Sequence, residues 1–260
     1  MTELDLSIMW PAMLAGLLVL STHVPLGQVV LSRGIIFIDI AVAQIAVMGV
    51  IAAEQFGLEA EGWTVQLAAG ISALLAALLF NLCERLWPDI LEALIGIAFV
   101  LASSGSILLL AGNPHGGEHL KDMLVGQILW VGGDALWYTA LLYVAVLACW
   151  FGFRQHIGRV GFYLLFAVVV TASVQLVGVY LVFASLIVPA LAVRHCSERW
   201  RLPLAYAIGI AGYAGGLALS FVFDLPTGAV TVWSLATIGG VTMGLINLKY
   251  PRTGKQPGQA

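Results

Sequence analysis

Residues 160–193 read VGFYLLFAVVVTASVQLVGVYLVFASLIVPALAV and contain no charged side chain. A helix needs about 20 apolar residues to cross a hydrocarbon core about 30 Å thick. The stretch is therefore too long for one untilted span and barely long enough for two. Residues 175–178, QLVG, offer the only plausible break within it. We predict two helices here, near residues 160–175 and 177–193.

The remainder of the chain has the same apolar character. Of its 260 residues, 61% are hydrophobic and 10% are charged, whereas soluble domains average about 45–50% apolar and about 25% charged residues. The runs are apolar on nearly every face, unlike the alternating strands of a membrane barrel. We predict an all-α polytopic membrane protein with about nine transmembrane helices, or eight if residues 160–193 cross once. The nine segments lie near residues 8–31, 35–53, 63–82, 90–111, 135–153, 160–175, 177–193, 204–223 and 228–247.

The distribution of Lys and Arg predicts the orientation, since short cytoplasmic loops are enriched in these residues. With nine spans and an external N-terminus, ten of the 11 basic residues lie on the cytoplasmic side, and only Lys121 lies outside. With eight spans, Arg154 and Arg159 would face the side opposite Arg194. We therefore expect a single transmembrane domain over residues 1–260, ending in a short cytoplasmic polar tail at residues 249–260.

Composition and motifs exclude several classes of function. The net charge of -3 and the scattered basic residues leave no basic stripe for nucleic acid. The sequence has no nucleophile elbow, zinc-protease motif, dinucleotide fingerprint or phosphate loop. We therefore expect a transporter rather than an enzyme, with no permanently bound cofactor and with any ATP hydrolysis in a separate chain. The three cysteines lack C-x-x-C spacing and are expected to be reduced.

The outer segment 112–134 is too long for a tight turn. Its half-length apolar stretch, residues 123–131, suits a re-entrant or interfacial helix. His115, Glu118 and His119 place two imidazoles and a carboxylate within five residues, a combination that suits zinc or manganese. We regard them as a candidate outer metal entry, with a solvated loop as the alternative.

The inner segment 194–203, RHCSERWRLP, is short, basic and aromatic. One interpretation is a docking element for a cytoplasmic partner, in which Arg194, Glu198, Arg199 and Arg201 form the contact. The other is a positive-inside anchor with an interfacial Trp200.

Few polar residues lie inside the apolar segments, where they mark transport pathways. Asp39 is the only acidic residue clearly within an apolar run, and it is either an ion ligand or an acid stabilised by the helix dipole. His23 precedes Pro25 at a candidate helix break, and it is either a pathway ligand or a structural histidine. Pro189 is a second candidate break.

Two pairs of glycines have the small-xxx-small spacing that lets helices approach closely. These pairs are Gly212 with Gly216 and Gly240 with Gly244. They mark either a dimer interface or packing within one subunit.

Four stretches together resemble the zinc and manganese ABC transporter permeases. VPLGQVVLSRGIIFIDIAVAQIAVMGVIAA, residues 24–53, is similar to the family signature of an arginine followed by G-D-A-L-S-H-A-V-L-P-G, and Arg33 and Asp39 keep its six-residue spacing. MLVGQILWV, residues 123–131, resembles L-F-G-D-I-L-A-V. VGVYLVFASLIVPALAVR, residues 177–194, resembles V-G-x-L-L-V-x-A-L-L-I-I-P-A-x-x-A-R, and DLPTGAVTVW, residues 224–233, is similar to the family's D-x-P-T-G-A turn.

The resemblance implies a homodimeric permease of the bacterial inner membrane with a type II importer-like fold. It implies that an extracytoplasmic binding protein delivers zinc or manganese and that a cytoplasmic ATP-binding subunit drives transport. The basic segment after Pro189 would be the coupling element. Two alternatives are a proton- or ion-coupled secondary transporter, with Asp39 and His23 as its relay, and a membrane scaffold without a substrate.

The chain departs from the family signature after Asp39. Where the family has a histidine four residues after the aspartate, this chain has Ala43, and the nearest polar side chain is Gln44. On a regular helix Gln44 points about 140° away from Asp39, whereas a one-residue π-bulge would bring the two together. Gln and Asp are harder ligands than His and Asp, which favours manganese or another hard cation over zinc.

Overall fold

The computed structural model describes residues 3–57, 63–110, 116–126, 128–153 and 156–249. This part of the chain is built from helices and contains no strand, so the all-α prediction is confirmed. Short 3-10 turns occupy Pro88–Ile90 and Ile128–Trp130. The ten α-helices are α1 (Glu3–Arg33), α2 (Ile38–Gln55), α3 (Trp63–Leu86), α4 (Leu91–Leu110), α5 (Gly116–Val125), α6 (Gly133–Gly152), α7 (Arg159–Val177), α8 (Val179–Ala192), α9 (Glu198–Phe223) and α10 (Thr227–Lys249).

Eight of the helices in the described ranges are long and apolar enough to cross a membrane, all except α5 and α8. Helix α8 has 14 residues, ten of them buried. Its length of about 21 Å is less than a hydrocarbon core about 30 Å thick. It packs against α1, α9 and α10 in the interior of the bundle. The described bundle thus contains eight long helices, one short buried helix, α8, and the short helix α5.

The break between α7 and α8 falls at Gly178, within the predicted QLVG segment. Gly178 has φ 80°, a conformation that residues with a Cβ rarely adopt. Gly126, after α5, lies against the backbone of Val177 and Gly178 so closely that a Cβ there would overlap it. The absence of a side chain at Gly126 and the positive φ of Gly178 therefore allow the chain after α5 to pack directly on the backbone between α7 and α8.

Contacts between helix ends show that residues 160–193 cross the bundle twice. The Arg159 guanidinium at the start of α7 lies 3.4 Å from the Glu84 carboxylate at the end of α3. The Arg33 guanidinium at the end of α1 lies 4.3 Å from the Phe162 ring centre. We call the face formed by these ends the basic face. Val193 and Arg194, which follow α8, line a small cavity on that face together with Gln28 of α1. Helix α7 therefore starts at the basic face, and α8 ends there.

Two predicted segments have the wrong boundaries. Residues 123–131 do not form one helix, because α5 ends at Val125 and the positive φ of Gly126 turns the chain before the 3-10 turn. Residues 194–203 are not entirely a loop, because α9 begins at Glu198 and continues through Pro203. The predicted tail lies outside the described residues beyond Lys249, where α10 ends.

Glycines hold α9 and α10 together within the chain. A Cβ on Gly212 would overlap Leu235, and one on Gly216 would overlap Thr231. Gly240 and Gly244 instead face open space, and nothing in the described chain packs on them. The first glycine pair therefore serves packing within the subunit.

Candidate ion-binding site at the start of helix α2

Asp39 lies in the first turn of α2, with Phe37 as the residue that precedes the helix. Its side chain is completely buried, and neither carboxylate oxygen accepts a hydrogen bond of good geometry from the described residues. The backbone N–H groups of Asp39 and Ile40 are the nearest donors. An ionised carboxylate inside a membrane protein is costly unless a charge or a polar group compensates it. Among the described residues, the unpaired oxygens are therefore the strongest sign of a site for a cation.

Arg33 does not neutralise Asp39, although the two are six residues apart in the sequence. The Arg33 guanidinium stacks on the Phe162 ring of α7, a cation–π contact with the start of that helix. Arg33 and Asp39 keep the six-residue spacing of the family signature, but their side chains do not contact each other. Asp39 is therefore not paired with that arginine.

Glu92, in the first turn of α4, lies within electrostatic range of Asp39. Its Oε1 accepts a hydrogen bond from the Phe37 backbone N–H at 3.3 Å. Its Oε2 has no hydrogen-bond partner among the described residues. Glu92 was not predicted as a site residue, because it lies at the very start of the predicted segment 90–111, where acidic side chains are common and solvated. Only the packing of α4 against α2 reveals that it approaches Asp39.

Gln44 does not join Asp39. Helix α2 is regular from Ile38 to Gln55, so the π-bulge that would align the two side chains is absent, and that hypothesis was wrong. Five residues at 100° each place Gln44 about 140° around the helix from Asp39. Gln44 is buried. Ala43 is the residue that shares the face of Asp39.

His23 lies deeper in the bundle than Asp39. It is fully buried, and α1 rises about 15 Å from Arg33 to His23. Pro25 does not end α1, which continues to Arg33, and Pro189 likewise lies inside α8. No three His, Cys, Asp or Glu side chains in the described ranges lie close enough to share a metal ion. The predicted path residues therefore do not form one ligand cluster.

The predicted outer metal entry is only partly described. Glu118 lies in α5 and its side chain is exposed. His115 and the side chain of His119 lie outside the described residues. The metal entry remains a prediction.

The charged side chains of the inner segment 194–203 differ in their exposure to solvent. Arg194, Glu198 and Arg199 are exposed. Arg201 is partly buried, and its Nε donates a hydrogen bond of 2.9 Å to the Cys196 carbonyl. Arg199 is therefore available for a partner, whereas Arg201 also fixes the turn before α9.

Comparison with known proteins gives concordant results. The model of a family described as the ABC 3 transport family matches residues 5–162 and 148–244. The manganese transport system membrane protein MntC of Halalkalibacterium halodurans is 25% identical over 256 residues, covering 90% of this chain and 86% of MntC. The resemblance to metal-ion ABC transporter permeases is confirmed.

Solved structures share the fold. PsaBC from Streptococcus pneumoniae, solved in complex with Fab, matches with a TM-score of 0.73 and 21% identity, covering 92% of this chain and 94% of that chain. An inward-facing conformation of a metal-chelate type ABC transporter matches with a TM-score of 0.67 and 18% identity, covering 92% of this chain and 85% of that one.

Proposed function

This chain belongs to the ABC 3 transport family, and we propose that it is the permease subunit of an importer that moves manganese, rather than zinc, across the bacterial inner membrane. The family favours ATP-driven transport over the gradient-driven carrier that the sequence left open. Mn²⁺ or Zn²⁺ is the cargo in this proposal and not a resident cofactor.

The observation that supports a divalent cargo is the buried Asp39 carboxylate with unpaired oxygens beside Glu92. Two carboxylates balance the charge of one divalent cation after it leaves water. Carboxylate oxygens suit manganese, whereas a site built mainly from imidazole and thiolate ligands would favour zinc. The MntC relative is described as a manganese transport protein, which supports the same choice. The alternative role of Asp39, stabilisation by the helix dipole, does not require Glu92 nearby.

The proposed assembly contains two copies of this chain, a cytoplasmic ATP-binding subunit and an extracytoplasmic metal-binding protein. The chain has no phosphate loop, so the energy must come from another subunit. The exposed Arg194, Glu198 and Arg199 at the basic face would form the coupling contact. Arg201 would contribute by holding the preceding turn.

ATP-dependent uptake of radioactive manganese tests the proposed function. In cells that express this chain with its ATPase, Asp39→Asn should lower uptake by at least about tenfold. Mutation of a residue that only hydrogen-bonds to a metal ligand already lowers metal affinity about 10–100-fold, and Asp39 would be a ligand itself. Asp134→Asn is the matched control, because Asp134 also lies in the first turn of a helix but is exposed. Normal uptake by Asp39→Asn at normal expression would leave only the dipole role for Asp39.

Cargo choice is measured in the same cells by competition. Excess unlabelled manganese should suppress the uptake of radioactive manganese more strongly than equal zinc does. Stronger suppression by zinc would identify zinc as the cargo and would contradict the manganese assignment.

Co-purification of the ATPase tests the coupling contact. Arg199→Glu should reduce the amount of ATPase that purifies with the chain, because a reversed charge opposes docking. Arg85→Glu is the control, since Arg85 is also exposed on the basic face but lies at the end of α3. Unchanged association in Arg199→Glu, or equal loss in both variants, would contradict the contact.

A further inference from the structure

A group of six buried polar side chains surrounds the middle of α1, which we call the hydroxyl cluster. All six are at most 1% exposed. The Tyr143 hydroxyl contacts the Ser173 hydroxyl and lies close to Thr22 and to Tyr213. The members are Thr22 and His23 of α1, Tyr143 of α6, Ser173 of α7, Ser185 of α8 and Tyr213 of α9.

The hydrogen atoms of the five hydroxyls can all be donated within the cluster or to backbone carbonyls. Ser173 donates to the Val169 carbonyl at 2.7 Å, and Tyr143 then donates to Ser173. Ser185 donates to the Leu181 carbonyl at 2.6 Å, and Tyr213 then donates to Ser185 at 2.9 Å. Thr22 donates to the Val19 carbonyl at 3.2 Å.

The His23 ring is fixed in one neutral form by its contact with α1. Nδ1 lies 2.9 Å from the Val19 carbonyl oxygen, which can only accept, and 3.2 Å from the Thr22 hydroxyl, so we assign the ring proton to Nδ1. Nε2 then has a free lone pair, and it is buried with no partner among the described residues. What the cluster lacks is an electron-pair acceptor, which a cation supplies and an anion cannot.

The helix backbone near His23 lacks one of its regular hydrogen bonds. Pro25 has no N–H, so it cannot bond the Ser21 carbonyl in the helical manner. The Tyr206 hydroxyl donates to that carbonyl instead, at 3.0 Å. Pro189 has the same relation to the carbonyl of Ser185 in α8. Helices α1 and α8 therefore each contain a weakened turn beside the cluster.

Resting on the proposed transport of a divalent metal, we propose that His23 Nε2 is a second ligand station that selects transition metals over Mg²⁺ and Ca²⁺. The station is separate from Asp39 and Glu92. A neutral imidazole nitrogen is a ligand for first-row divalent transition metals, whereas Mg²⁺ and Ca²⁺ prefer all-oxygen sites. The cargo would meet hard carboxylates at one station and a borderline nitrogen at the other, and magnesium would fit only the first.

Pulsed electron paramagnetic resonance on the full chain in nanodiscs, loaded with MnCl₂, tests the ligand. Bound manganese should show nitrogen coupling from an imidazole in the wild-type chain. His23→Asn should abolish that coupling, because its amide can still donate to Val19 but has no atom at the position of Nε2. His156→Asn is the control, since His156 is exposed, and it should keep the coupling.

His23→Gln tests selectivity and also guards against a misfolded asparagine variant. Its amide oxygen can take the place of Nε2 and supply a hard ligand. In the uptake assay, magnesium should compete with manganese at least about tenfold more strongly in His23→Gln than in the wild type, a loss comparable to the weakening of one metal ligand. Unchanged competition would contradict the selective role.

The outcomes separate the two proposals. A wild-type chain that binds and transports no manganese would overturn the proposed function itself. Manganese bound without nitrogen coupling, or with coupling that persists in His23→Asn, would overturn the role of His23 while leaving manganese transport intact.

Discussion

The hydrogen bond from Tyr206 to Ser21 is expected to stabilise α1 at its proline. Because Pro25 has no N–H, the Ser21 carbonyl loses its helical donor, and the Tyr206 hydroxyl replaces it at 3.0 Å. Tyr206→Phe removes only the hydroxyl and leaves the ring packed on α1. A buried carbonyl left without a donor costs about 1–3 kcal/mol, and Ser21 is partly buried, so the free energy of unfolding should fall by up to that amount.

Unfolding by SDS in mixed micelles measures this cost, and Pro25→Ala supplies the matched background. The alanine of that background would restore an N–H for the Ser21 carbonyl, so Tyr206→Phe should then cost well under about 1 kcal/mol. The difference between the two backgrounds is the quantity of interest. An equal cost in the proline and alanine backgrounds would refute the view that Tyr206 replaces the missing helical donor.

Two further predictions concern glycines. Gly178→Ala should lower the free energy of unfolding by about 1–3 kcal/mol, because φ 80° is strained for alanine; stability unchanged in the same SDS titration would contradict a required positive φ. Gly216→Val should destabilise the chain by overlap with Thr231 of α10, whereas Gly240→Val, which meets open space, should not. Thermal aggregation in detergent compares the two valine variants, and equal loss in both would contradict the packing of α9 on α10.

The lengths of the apolar runs predicted the helices well, because a membrane leaves helix formation as the way to satisfy backbone hydrogen bonds. The break at Gly178 was predictable because residues 160–193 are too long for one span and residues 175–178 are their only plausible interruption. The start of α9 was not predicted, because three of the four residues 198–201 are charged and a count of apolar residues excludes the segment. Ser197 followed by Glu198 is nonetheless a helix-start signal that could have placed it.

The candidate site was less predictable than the fold. Asp39 was found because a carboxylate inside an apolar run is rare. Glu92 was not, because its importance depends on how α4 packs against α2, which local sequence does not encode. The expected partnership with Gln44 failed because α2 is a regular helix without the π-bulge that would align Gln44 with Asp39. His23 was noticed, but its free Nε2 became evident only from the position of Nδ1 against Val19.

Manganese binding to the Asp39–Glu92 pair is the most direct test of the central claim. Titration of the full chain in nanodiscs with MnCl₂, followed by electron paramagnetic resonance of the free ion, gives the affinity. Asp39→Asn and Glu92→Gln should each weaken binding at one site by at least about tenfold, and the double variant should lose that site. Wild-type affinity and stoichiometry in the double variant would contradict the claim that these two carboxylates hold the transported ion.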